Sequence, residues 1–357
     1  MLDPTQIEDE ARYPLDDLIP GDPVVFGSQE MQDYRLFSQR MKDLFSELKK
    51  MSGSRSVPLM ITGKTGSGKE VVARFMHHEV DRNQGAFIAV NCTNINQEMF
   101  ESELFGYKKG AFTGASPSGH EGYLSQASEG TLFLDEIGEI NLNLQAKLLR
   151  MLEEGEYYKL GSAKKEKVNA RLVFASNRDL KNMLKEGTLR EDLYYRLNVV
   201  GVEVPELKER KEEIIPMACL FIERCNEEFQ KKVSFIQGKV LKFFYQYNWP
   251  GNIRELKNLI TQMMIFMEGD TLRFNHLQAK DEMDRLQTLN LTEDYYNTRR
   301  SEEQIIQELI KKPFNLEEFT LKVVRQTLQK FQGNKTQTAR FLGLKREQLY
   351  NRYRTHE

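Results

Sequence analysis

A glycine-rich loop between an apolar run and a helical pattern is the strongest chemical signal in this sequence. The loop follows Leu59–Thr62, precedes a helix predicted over Glu70–Glu79, and reads Gly63-Lys64-Thr65-Gly66-Ser67-Gly68-Lys69. Glycines let backbone N–H groups turn toward phosphate oxygens, a lysine reaches the terminal phosphates, and the helix N-terminus adds a favourable potential. The next residue is Glu70 rather than the Ser or Thr that usually ligates magnesium. The pattern predicts a nucleotide phosphate site with this one departure.

Two carboxylates at the end of a second apolar run strengthen this prediction. The run Thr131–Leu134 is followed directly by Asp135 and Glu136. Asp135 can hold Mg²⁺, directly or through water, whereas Glu136 can orient and polarise an attacking water. Two solvated acids at a strand end are the simpler alternative, but their position downstream of a phosphate loop favours ATP hydrolysis with Mg²⁺.

Apolar runs and helical patterns alternate from Val24 to about Val204, which predicts a parallel sheet covered by helices. The candidate strands are Leu59–Thr62, Phe87–Asn91, Thr131–Asp135, Arg171–Ser176 and Val199–Val204. The candidate helices are Glu70–Glu79, Leu142–Glu154 and Leu189–Leu197. Residues 212–267 are predicted to contain helices only, because apolar residues recur there at helical spacing.

Composition excludes several classes of protein. Of the 357 residues, 39% are hydrophobic and 29% are charged, as in ordinary globular proteins. No run of eighteen apolar residues exists, and the acidic N-terminus has no apolar core, so we expect neither a membrane span nor a secretory signal. Cys92, Cys219 and Cys225 form no metal or disulfide pattern, which fits a reducing cytoplasm.

The charge of the chain is distributed unevenly although the net charge is only -2. Residues 1–20 carry six acids and one base, and residues 321–357 carry nine Lys or Arg and two acids. A small basic module in a near-neutral chain suggests binding to nucleic acid. Charge alone would also fit a solvent-exposed helix. The helical pattern of this module decides between the two interpretations.

The basic end has the pattern of a helix-turn-helix. Gly333–Leu344 is predicted to form a helix and a turn at Gly343, and a second, basic helix follows. Arg, Asn and Gln can read bases, and Lys and Arg can hold phosphates. We therefore predict DNA contacts at Lys335, Thr336, Lys345, Arg346, Gln348, Asn351 and Arg352. The preceding apolar helix, Phe314–Phe331, is expected to support a dimer, and a helical hairpin that binds protein is the alternative.

A six-residue string identifies a family. Gly110-Ala111-Phe112-Thr113-Gly114-Ala115 closely resembles the GAFTGA signature of sigma-54-dependent transcriptional activators, the bacterial enhancer-binding proteins. Gly110 and Gly114 permit a tight loop, and Phe112 and Thr113 would lie exposed at its tip as a contact surface. The resemblance implies an ATP-hydrolysing AAA+ α/β domain with a helical lid and a Fis-type DNA-binding domain. It also implies contact with sigma-54 RNA polymerase, binding to enhancer DNA, and hexameric or heptameric rings that form from inactive dimers in the bacterial cytoplasm.

The resemblance implies roles for further residues. Glu70 fits the family's form of the phosphate loop. Asn91 would restrain Glu136, Asn177 would lie near the γ-phosphate, and Arg254 would face the nucleotide from the lid. Arg190 and Arg196 would enter a neighbour's nucleotide site as arginine fingers. Val25 and Phe26 match the segment that lines the adenine pocket, although this match is short.

The predicted order is a leader without a receiver fold (1–22), an AAA+ core (23–205), a lid (206–268), a linker (269–312) and the helix-turn-helix domain (313–357). Three other functions fit parts of the sequence: a different AAA+ remodeller such as a protease unfoldase, a DNA-binding repressor with a degenerate ATPase, and a metabolic P-loop kinase. The intact GAFTGA string, acidic pair and arginine helix favour a transcription activator that converts closed to open promoter complexes.

Overall fold

A computed structural model of the chain describes residues 6–20, 23–26, 31, 34–81, 85–95, 97–276, 324, 327 and 334–341. The chain divides into two compact units, Met1–Ala279 and Lys280–Glu357. The first unit contains the sheet and the predicted nucleotide site. Within the second unit, the described residues include one helix of the predicted DNA-binding module.

The elements are numbered in chain order. The strands are β1 Arg12–Pro14, β2 Val24–Val25, β3 Arg35–Leu36, β4 Leu59–Thr62, β5 Phe87–Asn91, β6 Thr131–Asp135, β7 Glu156–Tyr158, β8 Lys165–Lys167, β9 Arg171–Ser176, β10 Val200–Glu203, β11 Phe235–Gln237 and β12 Thr271–Leu272. The helices are α1 Leu15–Leu18, α2 Gln39–Lys49, α3 Lys69–Phe75, α4 Gln97–Phe105, α5 Tyr123–Gln126, α6 Leu142–Glu154, α7 Leu180–Lys185, α8 Glu191–Leu197, α9 Ile214–Phe229, α10 Gly238–Gln246, α11 Asn252–Phe266 and α12 Lys335–Phe341.

The central sheet has five strands in the order β10-β4-β9-β6-β5, and every neighbouring pair is parallel. The register places Asn91 beside Asp135 and Thr62 beside Ser176. The carboxyl ends of these strands therefore meet at one edge of the sheet. This edge carries the residues for which the sequence predicts nucleotide chemistry.

Both faces of the sheet are buried, as expected for parallel strands between helices. Leu59, Ile61 and Phe133 pack on one side with residues of α2 and α3. Leu132 and Leu134 pack on the other side with residues of α4, α6 and α8. Strand side chains alternate between faces, so a strand covered on both sides must be apolar throughout.

The predicted α/β architecture is confirmed, with small shifts at element ends. Four strands and the helix Leu142–Glu154 have the predicted bounds. Strand β10 is one residue shorter at each end than predicted, and α8 begins two residues later than the predicted helix Leu189–Leu197. The helix predicted over Glu70–Glu79 starts at Lys69 and changes at Met76 into a π-helical turn that ends at Val80. In this wider turn the N–H of Asp81 donates to the carbonyl of Met76 at 2.8 Å.

The prediction that residues 212–267 contain helices only is wrong, because β11 lies between α9 and α10. Strand β11 pairs antiparallel with β1 and parallel with β12, which forms a three-stranded sheet on the helical lid. Both partners lie far from β11 in the sequence. A three-residue strand of this kind has no local hydrophobic period to reveal it.

Residues 7–18, which we call the lid strap, are therefore part of the lid rather than a separate leader. Ile7, Leu15 and Leu18 are buried. Arg12 pairs with Asp270 at 2.6 Å and lies 4.2 Å from the centre of the Phe235 ring. The start of the predicted linker is also in the lid, because β12 is buried against β11.

Gly238 lies where the lid strap packs against the start of α10. A Cβ atom at this position would lie 1.9 Å from the carbonyl oxygen of Glu8. We expect Gly238→Ala to force the strap off the lid and to lower the free energy of unfolding by about 1–3 kcal/mol, the usual cost of overpacking. Gly201→Ala is the matched control, because its Cβ would meet only the Asn198 side chain. Urea unfolding of both variants tests this, and equal stabilities would contradict the close contact.

Candidate nucleotide-binding site and contact surfaces

The predicted phosphate loop connects β4 to α3 in the way that its glycines allow. Gly66 and Gly68 have φ values of +75° and +104°, which side-chain-bearing residues rarely adopt. Lys69 is almost fully buried, and its Nζ donates to the carbonyl of Gly63 at 3.1 Å. The loop thus holds its lysine close to the backbone segment that would surround a phosphate.

A cleft of about 630 Å³ opens between this loop and the lid. It is lined by Tyr34, Arg35, Leu36, Met41, Phe45, Thr65, Gly66, Ser67, Gly68, Lys69, Glu70, Val71, Asp135, Glu136, Arg210, Glu213, Met217, Leu220, Phe221, Arg224, Ile253, Arg254, Lys257 and Asn258. The lining of the cleft is polar at the loop and largely apolar where α2 and α9 contribute to it. This division fits the two ends of a nucleotide.

The acidic pair lies beside the loop lysine. The Glu136 carboxylate is 3.9 Å from Lys69 Nζ and accepts the N–H of Asn177 at 3.2 Å. Burial is the main cause that raises the pKa of Glu136, and Lys69 and the Asn177 N–H partly offset it. Asp135 accepts the N–H of Glu136 at 2.9 Å. A carboxylate with a raised pKa beside a lysine is placed to act as a general base.

Asn177 and Asn91 lie at the ends of the strands that flank β6. The Asn177 Nδ2 donates to Thr65 Oγ1 at 3.0 Å, which joins β9 to the phosphate loop. Asn91 Oδ1 accepts from the N–H and the hydroxyl of Thr93, at 2.9 Å and 2.6 Å. In this conformation the backbone of Asn177 holds Glu136, and restraint of Glu136 by Asn91 stays a prediction.

The other predicted nucleotide residues lie at different depths around the cleft. Glu70 and Arg254 line it directly, and Glu70 also pairs with Arg74 at 2.7 Å. Phe26 stacks on Phe45 with ring centres 5.3 Å apart, which places it behind the cleft wall. Val25 pairs with Arg35 in the β2–β3 hairpin.

Sequence reasoning missed the apolar wall of the cleft. This wall combines Tyr34–Leu36 and Met41 from the hairpin and α2 with Met217, Leu220 and Phe221 from α9. These segments are far apart in the sequence. The helical period of α9 indicated a buried face, but nothing in the period identified a ligand surface.

Magnesium would be held here by Asp135 together with the phosphates of a bound nucleotide. Mg²⁺ commonly takes one or two carboxylates plus substrate phosphates rather than a cage of protein ligands. The donor set fits this mode, because Asp135 lines the same cleft as Lys69. Among the residues that the structure describes, no group of three or more His, Cys, Asp or Glu side chains could hold a metal by itself.

The predicted arginine fingers lie just before α8 and near its end. Neither of them lines the cleft of its own chain. Arg190 immediately precedes α8 and forms a two-point ion pair with Asp192, at 2.7 Å and 3.1 Å. Arg196 donates twice to the carbonyl of Leu152 at the end of α6, at 2.8 Å and 3.1 Å. Both residues are exposed. This geometry leaves both arginines at the surface, where a neighbouring subunit could receive them.

The GAFTGA segment forms an exposed loop. Gly110 and Gly114 have φ values of +76° and +90°, and the carbonyl of Phe112 accepts the N–H of Ala115 at 3.1 Å. Phe112 is 45% exposed although its ring contacts Tyr107 edge-on, and Thr113 is exposed beside it. Ala111 packs against Gly161 in the connection between β7 and β8. A large apolar side chain held at the surface in this way is a candidate contact residue.

In the second unit, α12 agrees with the first predicted helix of the DNA-binding module. Asn334 caps it by accepting the N–H of Gln337 at 3.1 Å, and Ala339 and Thr338 are buried. Lys335 and Thr336 lie in its first turn. The predicted contacts at Lys345, Arg346, Gln348, Asn351 and Arg352 lie outside the described residues.

The raised pKa of Glu136 has a consequence that can be measured. If Glu136 acts as the general base, Glu136→Gln should lower ATP hydrolysis by roughly 10²-fold or more, because an amide cannot accept the proton. The same change should stabilise the nucleotide-free protein. An acid whose folded pKa is raised destabilises the fold when it ionises, so this cost appears as the pH rises above the ordinary value of 4.5. Urea unfolding between pH 4.5 and pH 8 should show the excess stability of the variant growing and then levelling off, and a constant or shrinking excess would contradict it.

No helix in the described part of the chain is both long enough and apolar enough to cross a membrane.

Comparison with known proteins identifies the family. Family models match the Sigma-54 interaction domain at residues 35–203, the AAA+ ATPase lid domain at residues 208–292, and the Fis family of bacterial regulatory proteins at residues 315–354.

Individual relatives agree with these matches. The chain is 39% identical to the regulatory protein AtoC of Escherichia coli K12 over 312 residues, which cover 87% of this chain and 65% of AtoC. It is 45% identical over 222 residues to an uncharacterized protein from the HyuA 5' region of a Pseudomonas species, covering 62% of this chain and 75% of that protein.

Solved structures show the same architecture. The crystal structure of NtrX from Brucella abortus in complex with ATP matches with a TM-score of 0.59 and 30% identity, covering 89% of this chain and 68% of that one. The chain thus spans about two thirds of the length of AtoC and NtrX. It belongs to the family of sigma-54-dependent transcriptional activators, which combine an AAA+ ATPase-type domain and its lid with a Fis-type helix-turn-helix.

Proposed function

We propose that this chain hydrolyses ATP in a ring of identical subunits and uses the energy to open promoters held closed by sigma-54 RNA polymerase. The observation that carries the proposal is one compact unit with two features. It combines a hydrolytic cleft, built around Lys69 and Glu136, with an exposed glycine-hinged loop that presents Phe112 and Thr113. The first feature would supply energy, and the second would transmit it to a partner.

The residues of the cleft divide the chemistry between them. Lys69 would bind the terminal phosphates, and Asp135 would hold Mg²⁺, which would neutralise phosphate charge. Glu136 accepts a proton from the attacking water, and its raised pKa favours this role. Asn177 connects Glu136 to Thr65 in the phosphate loop, so the occupation of the loop changes the surroundings of the base. In this way, hydrolysis of the nucleotide would alter the contacts of Asn177 at the end of β9.

Membership of the family supports a proposal for the partner surfaces. Sigma-54 would contact the loop Gly110–Ala115, and enhancer DNA would bind the helix-turn-helix through its basic second helix. The resemblance to the family implies a ring of six or seven subunits, and the exposure of Arg190 and Arg196 outside the cleft of their own chain supports assembly. Ring assembly from dimers would take place in the bacterial cytoplasm, where promoter DNA and RNA polymerase are found.

A reconstituted promoter assay tests this function. Wild-type protein with ATP, sigma-54 RNA polymerase and supercoiled promoter DNA should produce open complexes that permanganate footprinting detects. Lys69→Ala should bind DNA normally but give no open complexes, because it cannot bind the terminal phosphates. A wild-type chain that hydrolyses ATP but opens no promoter in the presence of its enhancer would contradict the proposal and favour another AAA+ remodeller.

DNA binding is tested separately through its dependence on salt. Neutralising phosphates releases counterions, so affinity for enhancer DNA should fall steeply between about 50 mM and 200 mM salt. Arg346→Ala should weaken binding without changing ATP hydrolysis, since Arg346 belongs to the predicted recognition helix. Salt-independent binding would contradict DNA binding through the basic helix of the helix-turn-helix.

A further inference from the structure

Each carbonyl group of the phosphate loop from Gly63 to Gly68 has a partner, and the partners fall into two classes. Three of the carbonyls accept from groups within the loop and α3. The carbonyl of Gly63 accepts from Lys69 Nζ at 3.1 Å, that of Lys64 from the Ser67 N–H at 3.2 Å, and that of Gly68 from the Val71 N–H at 3.0 Å. The other three carbonyls, those of Thr65, Gly66 and Ser67, accept from residues that come after the central sheet in the sequence. Buried carbonyl groups need such partners, so the source of each bond matters for the shape of the loop.

The three middle bonds come from the lid and its first turn. Asn252 Nδ2 donates to the carbonyl of Thr65 at 3.0 Å, and the Ile253 N–H donates to that of Gly66 at 3.0 Å. The Arg210 guanidinium donates to the carbonyl of Ser67. Within one trans peptide group, the C=O of a residue and the N–H of the next residue point in opposite directions. Holding these carbonyls from the lid therefore turns the N–H groups of Gly66, Ser67 and Gly68 away from the lid contacts.

Asn252 is built for this position. It is fully buried with a φ of +53°, a conformation that asparagine tolerates better than most residues. Its second polar atom, Oδ1, accepts the N–H of Leu207 at 2.8 Å. One side chain thus connects the phosphate loop, the first turn after the sheet and the start of α11.

Arg210 reaches the same loop through a buried ion pair. It pairs with Glu213 at 3.0 Å, and both residues are buried. Glu213 also accepts the N–H and the hydroxyl of Ser38, at 3.1 Å and 2.7 Å. Ser38 caps α2, which contributes Met41 and Phe45 to the cleft. The ion pair therefore connects the phosphate end of the cleft to its apolar end.

We propose that Asn252 and Arg210 are positioning residues that give the phosphate loop its binding shape only when the lid is docked. The lid then acts on the nucleotide in two ways: through Arg254, which lines the cleft, and through the loop carbonyls. The position of the lid then affects the affinity for phosphate through the shape of the loop, without a further contact between the lid and the nucleotide. This inference rests on the proposed nucleotide site.

The test uses Asn252→Asp in the full chain, with fluorescently labelled ADP as the probe. The aspartate keeps the acceptor for Leu207 but replaces the donor to Thr65 with a negative oxygen. We expect ADP to bind about tenfold more weakly at pH 8, equivalent to about 1.4 kcal/mol. Burial raises the pKa of a carboxyl group, and the protonated acid can donate to Thr65 again. The ratio of variant to wild-type dissociation constants should therefore shrink as the pH falls to 5.5.

Two further variants separate positioning from charge and from folding. Lys257→Gln, on the cleft side of the same helix, makes the same change of one charge unit and should give a pH-independent effect. Asn252→Gly fits a φ of +53° easily and loses both bonds, so its weaker binding should also be independent of pH. Melting temperatures establish that each variant is folded.

The outcomes distinguish the two proposals. A wild-type chain that binds no ADP would overturn the nucleotide site itself. If the wild-type chain binds ADP, and Asn252→Asp and Asn252→Gly bind it as tightly as the wild type does, only the positioning role is overturned. A loss in Asn252→Asp that does not change with pH would also overturn it, because a general structural defect has no protonation rescue.

Discussion

Arg190→Ala and Arg196→Ala should each reduce ATP hydrolysis by roughly 10³-fold or more if these residues act as arginine fingers. Both arginines are exposed on α8 and lie outside the cleft of their own chain. Their partners within the chain, Asp192 and the carbonyl of Leu152, hold them at the surface, where a neighbouring subunit could receive them. Steady-state hydrolysis at saturating ATP measures the loss, and the rate per wild-type subunit should rise with protein concentration and then level off.

Arg150→Ala is the matched control for Arg190→Ala. Arg150 is also an exposed arginine, paired with Glu154 at 2.7 Å on α6. Exposed ion pairs contribute little to stability, so this control should hydrolyse ATP almost normally. An equal loss in the control would mean that the arginine variants act through folding rather than through catalysis.

Mixing experiments locate the arginines relative to the interface. Arg196→Ala lacks the finger but keeps Glu136, whereas Glu136→Gln keeps the finger and lacks the base. When the two proteins are mixed, some interfaces combine an intact base with an intact finger, so part of the activity should return. A mixture that stays inactive at every ratio would show that Arg196 acts within its own subunit.

Thr113→Ala should abolish open-complex formation while it leaves ATP hydrolysis close to the wild-type rate. Thr113 is exposed on a loop whose glycines have open space around them, so its removal leaves no cavity and strains no backbone. The loop also contributes no residue to the lining of the cleft. Hydrolysis and permanganate reactivity of the promoter should be measured on the same protein preparation.

Ser118→Ala is the matched control for this loop. It removes one exposed hydroxyl a few residues beyond the signature and should retain both activities. If Thr113→Ala loses hydrolysis and promoter opening to the same extent, the loop acts on the nucleotide site and is not a contact surface. If it retains both, Thr113 has no part in the transfer of force.

Local patterns in the sequence were sufficient for the central sheet and the hydrolytic residues. Four strands and α6 lie at their predicted bounds, because a strand buried on both faces must be apolar throughout and a capped amphipathic helix has a clear period. The Asp135–Glu136 pair and Lys69 lie in one cleft, as expected when parallel strands end at the same edge. The identity of the GAFTGA loop also came from contiguous residues.

Only the tertiary structure decided which distant segments complete the site. Strand β1 of the lid strap pairs with β11 across more than two hundred residues of sequence, and β11 pairs with β12 only after the whole of α10 and α11. Each of these strands is too short to have a period of its own. The apolar wall and the bonds from Asn252 and Arg210 to the phosphate loop likewise join separate segments. Such contacts depend on where the chain returns in space, and a polar residue that will be buried against a remote carbonyl looks the same in sequence as one that stays in water.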